Sequence, residues 1–136
     1  MEHFEEVWRF DTANFSVRLE IAPEDMDPAH SFEFEEDIEA VRSGEVDWFC
    51  ARVRVLGPTG EELGASYLGG CAYKPASDFW TAHRGADPMA RNCSIVRAER
   101  GENACIGHYF PSMVTDAVAE ARANVARVKG LRLRAA

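Results

Sequence analysis

The chain has 136 residues, with 23 acidic and 15 basic side chains, a formal net charge of −8 and 46% hydrophobic residues. This length and composition predict one globular domain, residues 1–136, and exclude a disordered polymer or a disulfide-stapled miniprotein. No run approaches the roughly 18 apolar residues of a membrane helix, and the acidic start does not resemble a signal peptide, so we expect a cytoplasmic protein without a membrane partner.

The charge is distributed unevenly along the chain. Residues 1–47 hold 15 acidic and three basic side chains, a formal charge of −12, whereas residues 48–119 are neutral. The last 17 residues hold one acidic and five basic side chains, a formal charge of +4. The sequence is therefore bipolar, and its overall negative charge disfavours nucleic acid as the main partner.

Two hairpins are predicted from alternating apolar residues. The first joins a weaker strand over residues 4–10 to a stronger one over 15–21 that ends at Pro23. In the stronger strand the apolar residues are expected on the buried face and the alternating Ser16, Arg18 and Glu20 on the opposite face. The second joins a strand over 48–56, through a turn at 57–60, to a return strand over 61–68. We expect Gly64 to interrupt that return strand, and Gly69 and Gly70 to end it where the backbone bulges or approaches a neighbour.

Helices are predicted between and after these strands. Ser31 is a plausible cap for a short helix that carries Phe34, Ile38 and Val41 and ends at Gly44. Residues 77–84 form a possible helical turn, and Asp87-Pro88 a possible start for a helix with Met89, Cys93 and Val96 on one side. The strongest helix lies between Pro111-Ser112 and Gly130, with an apolar stripe at helical spacing. That stripe consists of Val114, Val118, Ala121, Val125 and Val128.

These elements predict an α+β fold. About four strands form a mostly antiparallel sheet, and the long C-terminal helix and the shorter helices pack on one face of it.

A run of acidic residues between positions 24 and 39 is the first candidate site. Its members are Glu24, Asp25, Asp27, Glu33, Glu35, Glu36, Asp37 and Glu39. On the predicted helix, Glu33/Asp37 and Glu35/Glu39 are like-charge pairs four residues apart, which cost a few tenths of a kcal/mol each. Carboxylates spaced about 5–6 Å apart can imitate the phosphates that a nucleic-acid-binding protein recognises. The simpler interpretation is a solvated face that maintains solubility.

Cysteine and histidine residues form the second candidate. Cys93, Cys105 and His108, with His83 upstream, supply four candidate ligands for zinc, but they lack the paired C-x2-C spacing of a structural zinc site. Cys71, after two glycines, could act as a nucleophile with His83 or His108 as base, but the sequence favours the simpler interpretation, a strand end at which glycine lets the chain bend and Cys71 and Tyr73 pack inward. We therefore assign no metal, no cofactor and no catalytic residue.

Two further motifs carry a resemblance. The segments Leu68-Gly-Gly-Cys-Ala-Tyr73 and Tyr109-Phe-x2-Met-Val-x2-Ala-Val-x-Glu-Ala-Arg122 resemble small proteins of bacterial plasmids and phages. This resemblance implies a shared fold and no particular activity. Small acidic proteins from mobile elements are similar in size and charge to antirestriction and anti-CRISPR inhibitors, an analogy that rests on no matched motif.

The sequence thus favours a non-enzymatic inhibitor whose residues 24–39 bind a basic protein or nucleoprotein effector, such as a nuclease or CRISPR complex. The alternatives are a small Cys/His enzyme or zinc module, and an interaction protein with a merely solvated acidic face. The basic tail leaves open a secondary contact with nucleic acid, an acidic partner or the protein itself. Its members are Arg122, Arg127, Lys129, Arg132 and Arg134.

Overall fold

A computed structural model describes residues 3–81 and 109–135, with side chains described through Gly130. Four strands form one antiparallel sheet in the order β1-β2-β3-β4, which confirms the α+β fold with a long C-terminal helix and shorter helices. The elements are β1 (Glu5–Asp11), β2 (Ser16–Pro23), a 3-10 turn (Pro28–His30), α1 (Glu35–Arg42), β3 (Asp47–Leu56), β4 (Glu62–Tyr73), α2 (Asp78–Thr81) and α3 (Tyr109–Ala135). The helix predicted from Asp87-Pro88 lies outside the described residues.

The first hairpin follows the prediction, with one exception on its polar face. Asp11 pairs with Ser16 across a short turn, and a register shift interrupts the β1–β2 ladder between Glu6 and Trp8. Alternation places Glu20 on the side of β2 that we expected to be exposed, yet Glu20 is only 7% exposed. The expectation fails there because two arginines of β3 cover the carboxylate.

The second hairpin is longer than predicted. The turn closes where Gly57 N donates to Glu61 O at 2.8 Å, and Gly60 takes a positive φ of 84°. Strand β4 runs on to Tyr73 rather than ending at Gly69 and Gly70. Gly70 has a φ of 66°, and its N–H donates to Glu24 Oε1 at 2.7 Å. Because a side chain satisfies that amide, the strand tolerates the irregularity without terminating.

Helix α1 begins four residues after the predicted cap. It starts at Glu35, the flanking Phe34 makes no side-chain capping hydrogen bond, and Ser31 instead ends the 3-10 turn. The first turn of α1 holds three acidic residues, which the helix dipole favours. Gly44 follows the helix with a φ of 81°, so the predicted end is confirmed.

Helix α3 extends beyond both predicted limits, and its buried stripe is shifted. The buried residues are Phe110, Met113, Ala117 and Ala121. Val125 and Val128, which we predicted to be part of the core stripe, are exposed. The shift has a steric cause. The backbone of α3 lies against Gly64, and a Cβ at Gly64 would lie 2.7 Å from Ala121 N, so only small helix residues fit at this approach.

The contacts of the chain group into two compact units. The first, which we call the acidic unit, consists of Met1–His3, Ala22–Cys50 and Leu68–Phe110. The second, which we call the hairpin–helix unit, consists of Phe4–Ile21, Ala51–Tyr67 and Pro111–Ala136. The single domain expected from chain length stays a prediction.

Each unit has its own buried residues. In the acidic unit, Phe79 lies 5.7 Å from Phe49, 5.2 Å from Tyr73 and 6.2 Å from Phe110, measured between ring centroids. In the hairpin–helix unit, the apolar faces of β2 and β3 supply Leu19, Val53 and Val55, all buried. Within the described ranges, no helix combines the length and apolar character needed to cross a membrane.

Candidate functional site

The acidic residues concentrate in one of the two units. The described parts of the acidic unit, residues 22–50 and 68–81, hold 11 acidic side chains and two basic ones, a formal charge of −9. The hairpin–helix unit holds eight acidic and nine basic side chains, a formal charge of +1. The bipolar charge of the sequence is therefore also a division between structural units.

Four of the predicted site residues form what we call the acidic surface: Asp25, Glu33, Glu35 and Glu39, all exposed. None of them makes an ion pair with any side chain in the described part of the chain. Glu35 and Glu39 lie four residues apart in α1, so their mutual repulsion persists in the fold.

Glu24 and Asp27 hold the loop that carries this surface. Glu24 accepts hydrogen bonds from Gly70 N at 2.7 Å and Asp25 N at 3.1 Å. Asp27 accepts from Ala29 N at 3.0 Å and from Arg42 Nη2 at 3.3 Å. The hydrogen bond from Ala29, followed by the one from Arg42, lowers the pKa of Asp27. These two carboxylates therefore hold the chain around positions 24–29 through hydrogen bonds to its own backbone and to Gly70 and Arg42.

Asp37 does not belong to the acidic surface, and this corrects the sequence prediction. Its side chain is 1% exposed, because α1 buries the side that carries Asp37, Ile38 and Ala40. Glu36 is half-buried. Glu33 lies before the first residue of α1, so Glu33 and Asp37 are not a like-charge pair within the helix as predicted.

Trp48 of β3 holds the loop that follows β2 against the sheet. Its Nε1 donates to Met26 O at 2.9 Å, and its ring lies 5.6 Å from that of Phe32. A Cβ at Gly70 would lie 3.3 Å from Met26 Cε and 3.4 Å from the indole, so glycine leaves room for this packing. Met26 is itself exposed. The loop after β2, which includes Asp25 of the acidic surface, is thus held against Trp48 and carries one exposed apolar side chain, Met26.

Cys71 is poorly suited to nucleophilic catalysis. Its side chain is 3% exposed, and burial raises the pKa of its thiol to about 12. The predicted inward packing of Cys71 and Tyr73 is confirmed, since both are buried. A thiol with this pKa remains protonated at neutral pH, whereas the reactive species is the thiolate.

Native protein is therefore expected to resist alkylation at Cys71. Iodoacetamide at neutral pH should leave the Cys71 peptide unlabelled in native protein and label it in denaturant, as read by peptide mass spectrometry. Rapid labelling of Cys71 in the native state would contradict the buried environment.

The predicted zinc ligands His83, Cys93, Cys105 and His108 lie outside the described residues. Across residues 3–81 and 109–130, no three His, Cys, Asp or Glu side chains are grouped so that they could hold a metal ion.

Sequence reasoning missed an ion-pair cluster on the polar face of β2 and β3. Glu20 Oε1 accepts from Arg52 Nε at 2.9 Å and from Arg54 Nε at 2.5 Å, while Glu20 Oε2 accepts from Arg54 Nη2 at 2.9 Å. The Arg52 guanidinium also lies 3.9 Å from the centroid of the Phe4 ring. The alternation of β3 indicated two arginines on one face, but their shared partner depends on the strand register.

No known protein family, curated protein or solved structure matches this chain.

Proposed function

We propose that the protein is a non-enzymatic, cytoplasmic inhibitor that binds a basic nucleic-acid-binding effector through its acidic surface. The observation that supports this most is the combination of a −9 charge in one unit with four exposed carboxylates that no described cation neutralises. Such a surface attracts a groove lined with lysine and arginine and competes there with the phosphates of nucleic acid.

The construction of the loop supports the same proposal. Hydrogen bonds from Gly70 and Ala29 and the Trp48 indole fix the chain from Glu24 to Phe32. A surface that is ordered before binding loses less conformational entropy on association. The repulsion between Glu35 and Glu39 in the free protein is relieved when a cation lies between them.

A pair of charge-matched triple variants tests the proposal. The first carries Glu33→Lys, Glu35→Lys and Glu39→Lys in the acidic surface, and Asp37 is left unchanged because it is buried. The second carries Glu5→Lys, Asp116→Lys and Glu120→Lys at exposed positions of the hairpin–helix unit. Each variant replaces three carboxylates by lysines, so both shift the net charge by the same amount toward positive. A difference between them therefore reports the location of the charges and not the total charge.

The experiment is affinity capture from a bacterial lysate at low and high salt with wild type and both variants. We expect wild type and the hairpin–helix variant to retain the same basic nucleic-acid-binding protein at low salt. Addition of a nucleic-acid duplex as competitor should elute that protein from both. The acidic-surface variant should lose it. Equal retention by both variants would refute the proposal and favour a merely solvated face, as would the absence of any such protein in the wild-type eluate.

A further inference from the structure

The hairpin–helix unit contains an apolar groove that is distinct from the acidic surface. Its volume is about 690 Å³, and it is lined by the β3–β4 hairpin, by Asn14 and Phe15 in the turn before β2, and by residues 118–129 of α3. Pockets that bind small molecules typically measure roughly 300–1,000 Å³ and are mostly apolar with a few polar groups. The groove has both the size and the composition of a ligand site.

Branched aliphatic side chains supply much of the lining. Val55 and Leu63 contribute from the hairpin, and Val118 and Val125 from α3. The two valines of α3 are seven residues apart, which is close to two helical turns, so they lie on one side of the helix. Val125 is 36% exposed, and a ligand that covers it removes apolar surface from water.

Two cations accompany this apolar lining. Arg122 and Lys129 both line the groove and are also seven residues apart on α3. Neither makes an ion pair with another described side chain. Glu61 also lines the groove, but its Oε2 accepts hydrogen bonds from the amide and the hydroxyl of Thr59. The groove therefore combines a mostly apolar lining with two cations and one carboxylate, a formal charge of +1, and neither cation forms an ion pair with Glu61.

We propose that this groove binds a single-chain amphipathic carboxylate of the fatty-acid type. The hydrocarbon chain lies against Leu63, Val118 and Val125, and the carboxylate pairs with Arg122 and Lys129. Charge complementarity selects this ligand over a neutral lipid, which would leave both cations unused. The apolar lining selects it over a free inorganic anion, which would gain nothing from the valines.

Titration of the full-length protein with a fluorescent long-chain fatty acid, kept below its micelle concentration, tests this proposal. Competition with unlabelled fatty acid and with the fatty alcohol of equal length isolates the carboxylate contribution. The groove variants are Arg122→Glu and Lys129→Glu, combined in one chain. The control carries Arg9→Glu and Lys74→Glu, two exposed cations outside this groove that give the same change in net charge.

We expect saturable binding with one site per chain, and a loss of affinity of at least about tenfold in the groove variant. The control should bind within about twofold of wild type, since neither of its two cations lines the groove and exposed charges are screened by salt. The alcohol should compete at least about tenfold more weakly than the acid. Absence of saturable binding, equal affinity of acid and alcohol, or binding only to anionic lipid vesicles would overturn the proposal.

Discussion

Replacing Gly64 with alanine is expected to destabilise the protein by about 3 kcal/mol, at the upper end of the usual cost of overpacking. Gly64 is buried in β4, and its missing side chain would point into the backbone of α3. An added Cβ would collide with Ala117 O and would lie 2.7 Å from Ala121 N and 3.2 Å from Ala121 Cα. Backbone atoms of a packed helix cannot move aside by changing a side-chain rotamer. The whole helix must therefore shift away from the strand.

Chemical denaturation of wild type and Gly64→Ala measures this effect. Gly130→Ala is the matched control. Gly130 lies in α3, the helix that Gly64 contacts, and a Cβ at Gly130 would meet none of the described neighbouring atoms within 4 Å. That control should stabilise the protein by up to about 1 kcal/mol, since alanine is the better helix former. Equal stability of Gly64→Ala and wild type would show that α3 does not lie against β4 as described.

Replacing Glu20 with glutamine is expected to cost about 2 kcal/mol at neutral pH, less than the 3–5 kcal/mol of a fully buried pair. Glu20 is nearly buried and is the shared acceptor for Arg52 and Arg54, whose side chains are each 24% exposed. Glutamine keeps the shape of the side chain but leaves two guanidinium groups without their charge partner. Because both arginines still reach water, part of the cost is recovered by solvation.

The pH dependence of this difference provides a second test. Burial disfavours ionisation of Glu20, but hydrogen bonds from Arg54 and Arg52, together with their charges, outweigh it and hold its pKa below the ordinary value of 4.5. The stabilisation is therefore complete above pH 4.5 and is lost as the pH falls through the lower folded-state pKa. We expect the stability difference between wild type and Glu20→Gln to shrink in that range.

Glu62→Gln is the control for Glu20→Gln. Glu62 is 46% exposed and lies 4.0 Å from Arg54, so its loss should cost no more than about 1 kcal/mol, as exposed pairs usually do. A Glu20→Gln variant no less stable than the Glu62→Gln control would contradict the role assigned to the cluster.

The hairpins and helix ends that local chemistry determines could be predicted from the sequence. The alternation of apolar and polar residues located β2 and β3, and Gly44 marked the end of α1. Both signals are local, since the first reflects the two-residue period of a strand and the second the preference of glycine for the left-handed backbone conformation. The end of β4 could not be located, since it depends on the contact between Gly70 N and Glu24, 46 residues apart. The buried stripe of α3 likewise depends on the distant Gly64.

The same contrast between local and long-range determinants applies to the candidate site. The abundance of carboxylates near residues 24–39 was evident from composition, but their individual roles were not. Burial of Asp37 depends on how α1 packs, and the bridge from Asp27 to Arg42 joins residues 15 positions apart. The groove beside α3 could not be predicted because Val55, Leu63 and Val125 meet only in the folded chain.

Whether the acidic surface competes with nucleic acid for a basic partner can be tested by displacement. The partner recovered by capture is loaded with a fluorescent duplex, and fluorescence anisotropy is followed as protein is added at low and at high salt. We predict that wild type and the Glu5/Asp116/Glu120 variant displace the duplex at low salt, that displacement weakens steeply with salt, and that the Glu33/Glu35/Glu39 variant displaces none. A ternary complex in which the duplex stays bound, or equal displacement by both variants, would show that the acidic surface does not compete with nucleic acid.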